Sequence, residues 1–282
     1  MTLSGYIMII NVIHFINTIS RHIKFMTEEH IANVKASTLQ EFIRQVKQVY
    51  MQQGFEITNI LMDGQFVCIR GDLAEIQTKL NICSNNEHTW EIEWINRTLK
   101  EQVRGIYNAL HFKILPGSMV VDLVALNIFW INALPPSPSV GGNLGPRQTI
   151  TGLTINYTKH CRLQFGKYAQ FQEFNNNTMQ ERTTGSIYLR PTGNSQGAYF
   201  FMILTTVRIL NRKSFTPPPL PQDIVNGVYR PARRNPRGIE IRDRDRRLFL
   251  DTEHRYDNDN SNSTYTPSDN RNSNNDNDSD EN

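Results

Sequence analysis

Cysteine is scarce in this chain: Cys68, Cys83 and Cys161 are the only three in 282 residues, an odd number with no paired spacing. That excludes a disulfide framework and a zinc ribbon, and it favours a reducing compartment. His88 and His160 have no Cys or His partner at ligand spacing. His160 and Cys161 are adjacent, so on a strand their side chains point opposite ways and form no nucleophile–base pair. Long apolar runs are lacking too, and none reaches the roughly 18–20 residues of a membrane span. Residues 6–19 are apolar, but Asn11, His14 and Asn17 interrupt them, and they have neither a basic leader nor a cleavage site. A Gly-rich phosphate loop is missing as well. Gly141-Gly142-Asn143-Leu144-Gly145 lies in a Pro/Ser-rich loop with no strand before it. The expectation is an intracellular protein, nuclear or cytoplasmic, with no membrane partner.

What is present is enough apolar content for a core: 38% hydrophobic and 10% aromatic residues. A formal charge of +3 hides an uneven distribution. Residues 230–247 hold eight Arg against Glu240, Asp243 and Asp245, net +5, and residues 248–282 hold nine acids against Arg255 and Arg271, net −7. The first 229 residues therefore carry +5. A basic body with a basic and then an acidic tail suits a polyanion-binding protein better than a small-metabolite enzyme.

Apolar runs at residues 6–10, 13–19 and 21–26 predict three strands of an antiparallel meander. Ser37-Thr38 with Glu41 in capping-box spacing opens a helix on Leu39, Phe42, Ile43, Val46 and Tyr50, closed by Gly54. A strand is predicted at 57–62, ending in Asp63-Gly64, then a helix at 73–80 and a strand at 81–83. Two long helices are predicted at 88–112 and 120–134, followed by a loop at 135–144 and a short helix at 146–152. Strands at 163–170, 186–189, 198–204 and 207–211 predict a small all-β unit, with Gly193-Asn194 as a turn. Thr216-Pro217-Pro218-Pro219-Leu220-Pro221 reads as a polyproline exit. The divisions expected are 1–135, a core; 136–161, a connector; 162–228, the β unit; and 229–282, a disordered charged tail.

Asp63 at a strand end and Glu93 near a helix start are the residue types that hold two Mg²⁺ about 3.5–4 Å apart in phosphoryl transfer. The same residues also suit a turn and a helix N-terminus. Arg97, Lys100 and Arg104 follow Glu93 at i+4, i+7 and i+11, a stripe fit for phosphates or for solvent.

The run Glu91-Ile92-Glu93-Trp94-Ile95-Asn96-Arg97-Thr98-Leu99-Lys100-Glu101-Gln102-Val103-Arg104 resembles the last catalytic motif of copia-type retrotransposon integrases. Met62-Asp63-Gly64-Gln65-Phe66 is similar to the motif around that family's second catalytic Asp. Phe129-Trp130-Ile131-Asn132-Ala133-Leu134-Pro135, Leu144-Gly145-Pro146 and Phe165-Gly166 resemble its downstream landmarks. Gly193-Asn194-Ser195-Gln196-Gly197-Ala198-Tyr199-Phe200-Phe201 and Arg208-Ile209-Leu210-Asn211-Arg212 resemble its small β domain. The resemblance covers about residues 5–228, with the motifs in family order, and is nearest to a divergent group in diatoms and similar eukaryotes.

The resemblance implies a ribonuclease-H-like α/β fold: a five-stranded mixed sheet with flanking helices, then a small all-β domain and a disordered C-terminal tail. It implies DNA as partner, self-association as an option, and three carboxylates holding two Mg²⁺. Asp63 and Glu93 are the second and third. The first should follow Gly5, where this chain has Tyr6. A phenol is no substitute for a carboxylate as a ligand to a hard cation. The family's upstream His/Cys zinc module is absent, and Val207 stands where the turn Gly is expected. The leading expectation is a decayed or truncated integrase fragment that binds DNA through Arg97, Lys100, Arg104, Arg233, Arg234 and Arg237 without joining it. One alternative is an active Mg²⁺-dependent polynucleotidyl transferase in which an acid such as Asp72 replaces the lost one. Another is a non-catalytic interaction protein with a basic segment at 230–247.

Overall fold

The computed structural model describes residues 1–10, 12–83, 90–135, 144–172 and 182–234, with backbone alone at 90, 91 and 231–234. All of them lie in one unit, Met1–Phe249.

β1 (Thr2–Ile10), β2 (Ile13–Ser20) and β3 (Met26–Ile31) form an antiparallel meander. α1 (Ala36–Met51) then leads to β4 (Asn59–Met62), which pairs parallel with β1. A 3₁₀ turn at Gly64–Ile69 and α2 (Arg70–Glu75) lead to β5 (Lys79–Ile82), parallel to β4. The order is β3-β2-β1-β4-β5, the five-stranded mixed sheet expected.

Alternating side chains feed two apolar layers, because successive strand residues point to opposite faces. Leu3, Ile7 and Ile16 meet Leu39, Phe42, Ile43 and Val46 of α1 on one face. Met8, Ile10, Ile13 and Phe15 meet Ile92, Leu99 and Val103 of α3 (Trp90–Asn108) and Val120 and Leu123 of α4 (Gly117–Ala133) on the other. Each such side chain contributes about 1.5–3 kcal/mol when fully buried.

α5 (Pro146–Thr151) and α6 (Tyr157–His160) connect to an antiparallel sheet of β6 (Tyr168–Gln172), β7 (Thr183–Pro191), β8 (Tyr199–Ile203) and β9 (Ile209–Arg212), in that order. Gln170 and Thr216 exchange two backbone hydrogen bonds, at 2.9 and 2.8 Å, so the segment after β9 returns to β6 and curls the sheet toward a barrel. Phe171, Tyr188, Tyr199 and Phe201 fill its inside, while Tyr168, Ile187, Leu189 and Met202 join the layer shared with α4.

Several expected elements are displaced. The third strand is not 21–26 but Met26–Ile31: Lys24, at φ +62°, turns the chain, and Ser20 N–H donates to Phe25 O at 3.1 Å. Glu28, Glu29 and His30 concealed this strand, since an edge strand tolerates charge. α1 starts at Ala36 with Lys35 as its cap and no side-chain cap bond, so Thr38 and Glu41 form no capping box. The helix expected at 73–80 ends at Glu75. The strand expected at 163–170 starts at Tyr168.

The polyproline exit is followed by α7 (Gln222–Arg234), so the boundary at 229 falls inside a helix. Val225 and Val228 of α7 are buried with Leu110 and Phe112. Residues 235–282, including Arg237 and most of the expected tail, lie outside the described residues, as do 88–89 and 136–143.

Candidate functional site

Parallel pairing sets Ser4 of β1 opposite Leu61 of β4, so Tyr6 and Asp63, each two residues further on, stand level on neighbouring strands. The Met62 side chain lies against Gly5, where an added Cβ would come within 2.4 Å of Met62 Cε. Tyr6 pairs with Asn17 of β2, and Asn17 pairs with Glu28 of β3. One row thus crosses the sheet from Asp63 through Tyr6 and Asn17 to Glu28, on the face covered by α3 and α4.

Asp63 ends β4 and caps the 3₁₀ turn: its Oδ1 accepts from Gln65 N–H at 3.1 Å. Burial pushes its carboxyl above the ordinary range and the Gln65 N–H pulls it back. Glu93 lies on the exposed side of the first turns of α3, three residues before Asn96. Asn96 is buried and accepts from Asn17 Nδ2 at 2.9 Å, which fixes α3 against the row beside Tyr6.

The row is polar and under-satisfied. Among the described residues, Ser4 Oγ, Asn17 Oδ1 and Asn96 Nδ2 are buried with no hydrogen-bond partner. Such atoms cost about 1–3 kcal/mol each unless water or a bound group pairs with them. Sequence reading did not single out Asn17, Asn96 or Ser4; only Asn96, inside the Glu93 motif, gave any signal.

Two Mg²⁺ do not fit these residues. Tyr6 occupies the position between Asp63 and Asn17 where an anionic ligand is needed, and the orphaned atoms around it are neutral. Among the described residues, no group of three or more His, Cys, Asp or Glu could hold a metal ion. Asp72 lies on the first turn of α2. Glu28 shares the row but stands two strands from Tyr6, roughly 10 Å.

No family model and no curated protein matches the chain. A solved structure does. The catalytic core domain of BIV integrase is similar at 13% identity and a TM-score of 0.39, over 54% of this chain and 93% of that one.

Arg97 and Arg104 are exposed on α3 as expected, with Glu101 between them. Lys100 is half-buried, and burial, with Arg104 adding, pushes its ammonium below the ordinary lysine range. Arg233 and Arg234 fall in the last turn of α7. Among the described residues no helix is long and apolar enough to cross a membrane.

A second charged cluster joins the two sheets. Arg190 Nε of β7 donates to Asp122 Oδ1 of α4 at 2.7 Å, and its guanidinium lies 4.3 Å from the Phe200 ring centre. Glu28 faces this pair. Burial raises its carboxyl to about 7, with Arg190 opposing and Asp122 and Glu29 adding.

Proposed function

We propose that this chain is a copia-type, retroelement integrase-derived protein that binds nucleic acid and no longer performs two-metal strand transfer. The observation that carries this is the placement of Tyr6 level with Asp63, where the family resemblance calls for an Asp. Two-metal chemistry needs anionic oxygen ligands shared between the ions, and a phenol in a row of neutral amides does not provide them. Asp63 and Glu93 are then remnants of a catalytic set, and Asp63 now serves as a turn cap.

The motif order across residues 5–228 and the five-stranded mixed sheet support the ancestry. Residues 1–135 are the degenerate core, 136–161 the connector and 162–228 the β unit, with DNA as the partner in an intracellular setting. Nucleic-acid binding needs only the cations, whose phosphate contacts release counterions.

Strand transfer on a short blunt duplex, with Mg²⁺ or Mn²⁺, tests the proposal alongside a DNA-binding assay. The expected outcome is binding with no transfer, unchanged in Asp63→Asn. Metal-dependent transfer by the natural chain that disappears in Asp63→Asn would overturn it.

A further inference from the structure

The proline run between the last strand and α7 has no part in the function proposed above. Proline fixes φ at about −65°, and a residue before proline is confined to extended backbone. In Thr216-Pro217-Pro218-Pro219-Leu220-Pro221 every residue is under one or both of these constraints. The run is therefore held near polyproline II by its own covalent structure. Both ends are pinned as well. Thr216 is bridged to Gln170, and Pro221 O accepts from Ile224 N–H at 3.1 Å where α7 begins. Leu220 packs on the layer shared with α4 and Pro218 is half-buried, which leaves Pro217, Pro219 and Pro221 exposed.

Hydrogen bonding decides what such a surface can meet. Four of the five residues 217–221 are proline and carry no N–H. Among the described residues, the carbonyls of Pro217, Pro218 and Pro219 accept no hydrogen bond. The run thus presents acceptors without donors. A strand from a second copy needs both, so it has no ladder to join here. Phosphate oxygens are acceptors themselves, so this run offers nucleic acid no contact either. A partner must donate from side chains and cover pyrrolidine rings at the same time. Trp N–H and Tyr O–H groups, set among aromatic faces, do both.

We infer that residues 216–221 are a docking strand for a small domain that reads polyproline II through an aromatic-lined groove, the kind of partner that WW and SH3 domains exemplify. Held between two fixed ends, the run loses less entropy on docking than the same sequence in an open chain. Exposed Lys213 precedes it and exposed Asp223 follows it. A groove acidic at one end and basic at the other would match those charges and set the direction of docking.

Titration of the full chain into isotope-labelled WW and SH3 domains, readers of Pro-Pro-Leu-Pro among them, tests the assignment. At least one domain should show saturable shifts at its groove aromatics. Pro219→Ala with Pro221→Ala should weaken that binding at least about tenfold. Pro135→Ala, at an exposed proline elsewhere, should leave it within about twofold. Urea unfolding checks that the substituted chains keep their fold. Pro217→Ala, which leaves the start of α7 untouched, gives a second reading, a loss of about threefold. No shifts with any domain overturn the proposal and leave the run a spacer, and equal binding by natural and proline-substituted chains overturns it too. Shifts with a free peptide of residues 213–223 but none with the full chain also overturn it, because packing then hides the run.

Discussion

Asn132 completes the edge of the five-stranded sheet by acting as a strand for Met26. Its Oδ1 accepts from Met26 N–H and its Nδ2 donates to Met26 O, each at 2.8 Å, across 106 residues of sequence. A side-chain amide reproduces the donor–acceptor pair of a peptide, so the start of edge strand β3 is satisfied by α4 rather than by water. The same helix supplies Asp122 to Arg190, so α4 fastens both sheets.

Removing that amide should loosen the edge. Asn132→Ala leaves a buried N–H and C=O without partners and should cost about 2–4 kcal/mol in urea unfolding. Asn132→Asp keeps the acceptor but sets a carboxylate against Met26 O. It should be no more stable than the Ala variant at pH 7 and should recover toward pH 4, where the acid can donate. Natural stability of Asn132→Ala would contradict the edge role.

Glu28 should make stability fall as pH rises. Its carboxyl is raised from 4.5 to about 7 in the folded protein, burial being the main cause, so the folded state binds the proton more tightly than the unfolded one. Its contribution is complete below about 4.5 and is lost as pH climbs through 7. Glu28→Gln keeps a neutral side chain at every pH. Its stability relative to the natural protein should therefore rise by about 2–3 kcal/mol between pH 5 and pH 8. Parallel stability–pH curves for the two proteins would sink this account.

Val12 sits at φ +63° in the two-residue turn between Ile10 and Ile13, with 73% of its surface exposed. Hairpin turns of this length favour glycine at such a position, and a β-branched residue is strained there. Little packing is lost on removing the side chain, so Val12→Gly should stabilise the fold by about 0.5–1 kcal/mol after the added chain entropy of glycine. An unchanged or lower urea midpoint would mean that the turn does not hold this conformation. Val207, at φ +59°, repeats the mismatch where the family resemblance calls for Gly, but it also packs against the core.

Long periodic helices were legible in the sequence. The spacing of Leu39, Phe42, Ile43 and Val46, or of Ile92, Ile95, Leu99 and Val103, is set by the 3.6-residue turn, which is a local property. β3 and α7 were not legible for the same reason. The edge strand carries Glu28 and Glu29 because only its Met26 and Ile31 are buried, and α7 follows a proline run and contains Pro231, which disfavours a helix interior.

At the site, the residue types alone set the chemistry available: Asp63, Glu93, and Tyr6 where the family resemblance calls for a third acid. The sequence also determined the net charge of each stretch, +7 for residues 144–220 against −1 for 1–143. Only the tertiary structure decided what those groups face. Asn17 and Asn96 are 79 residues apart and Asp122 and Arg190 are 68 apart, yet each pair is hydrogen-bonded. Strand register and helix docking arise from burial summed over whole faces, and no local spacing records them. That long-range packing set Tyr6 level with Asp63, turned Glu28 toward Arg190, and seated Arg162 over the Phe215 ring and Arg212 over the Phe171 ring.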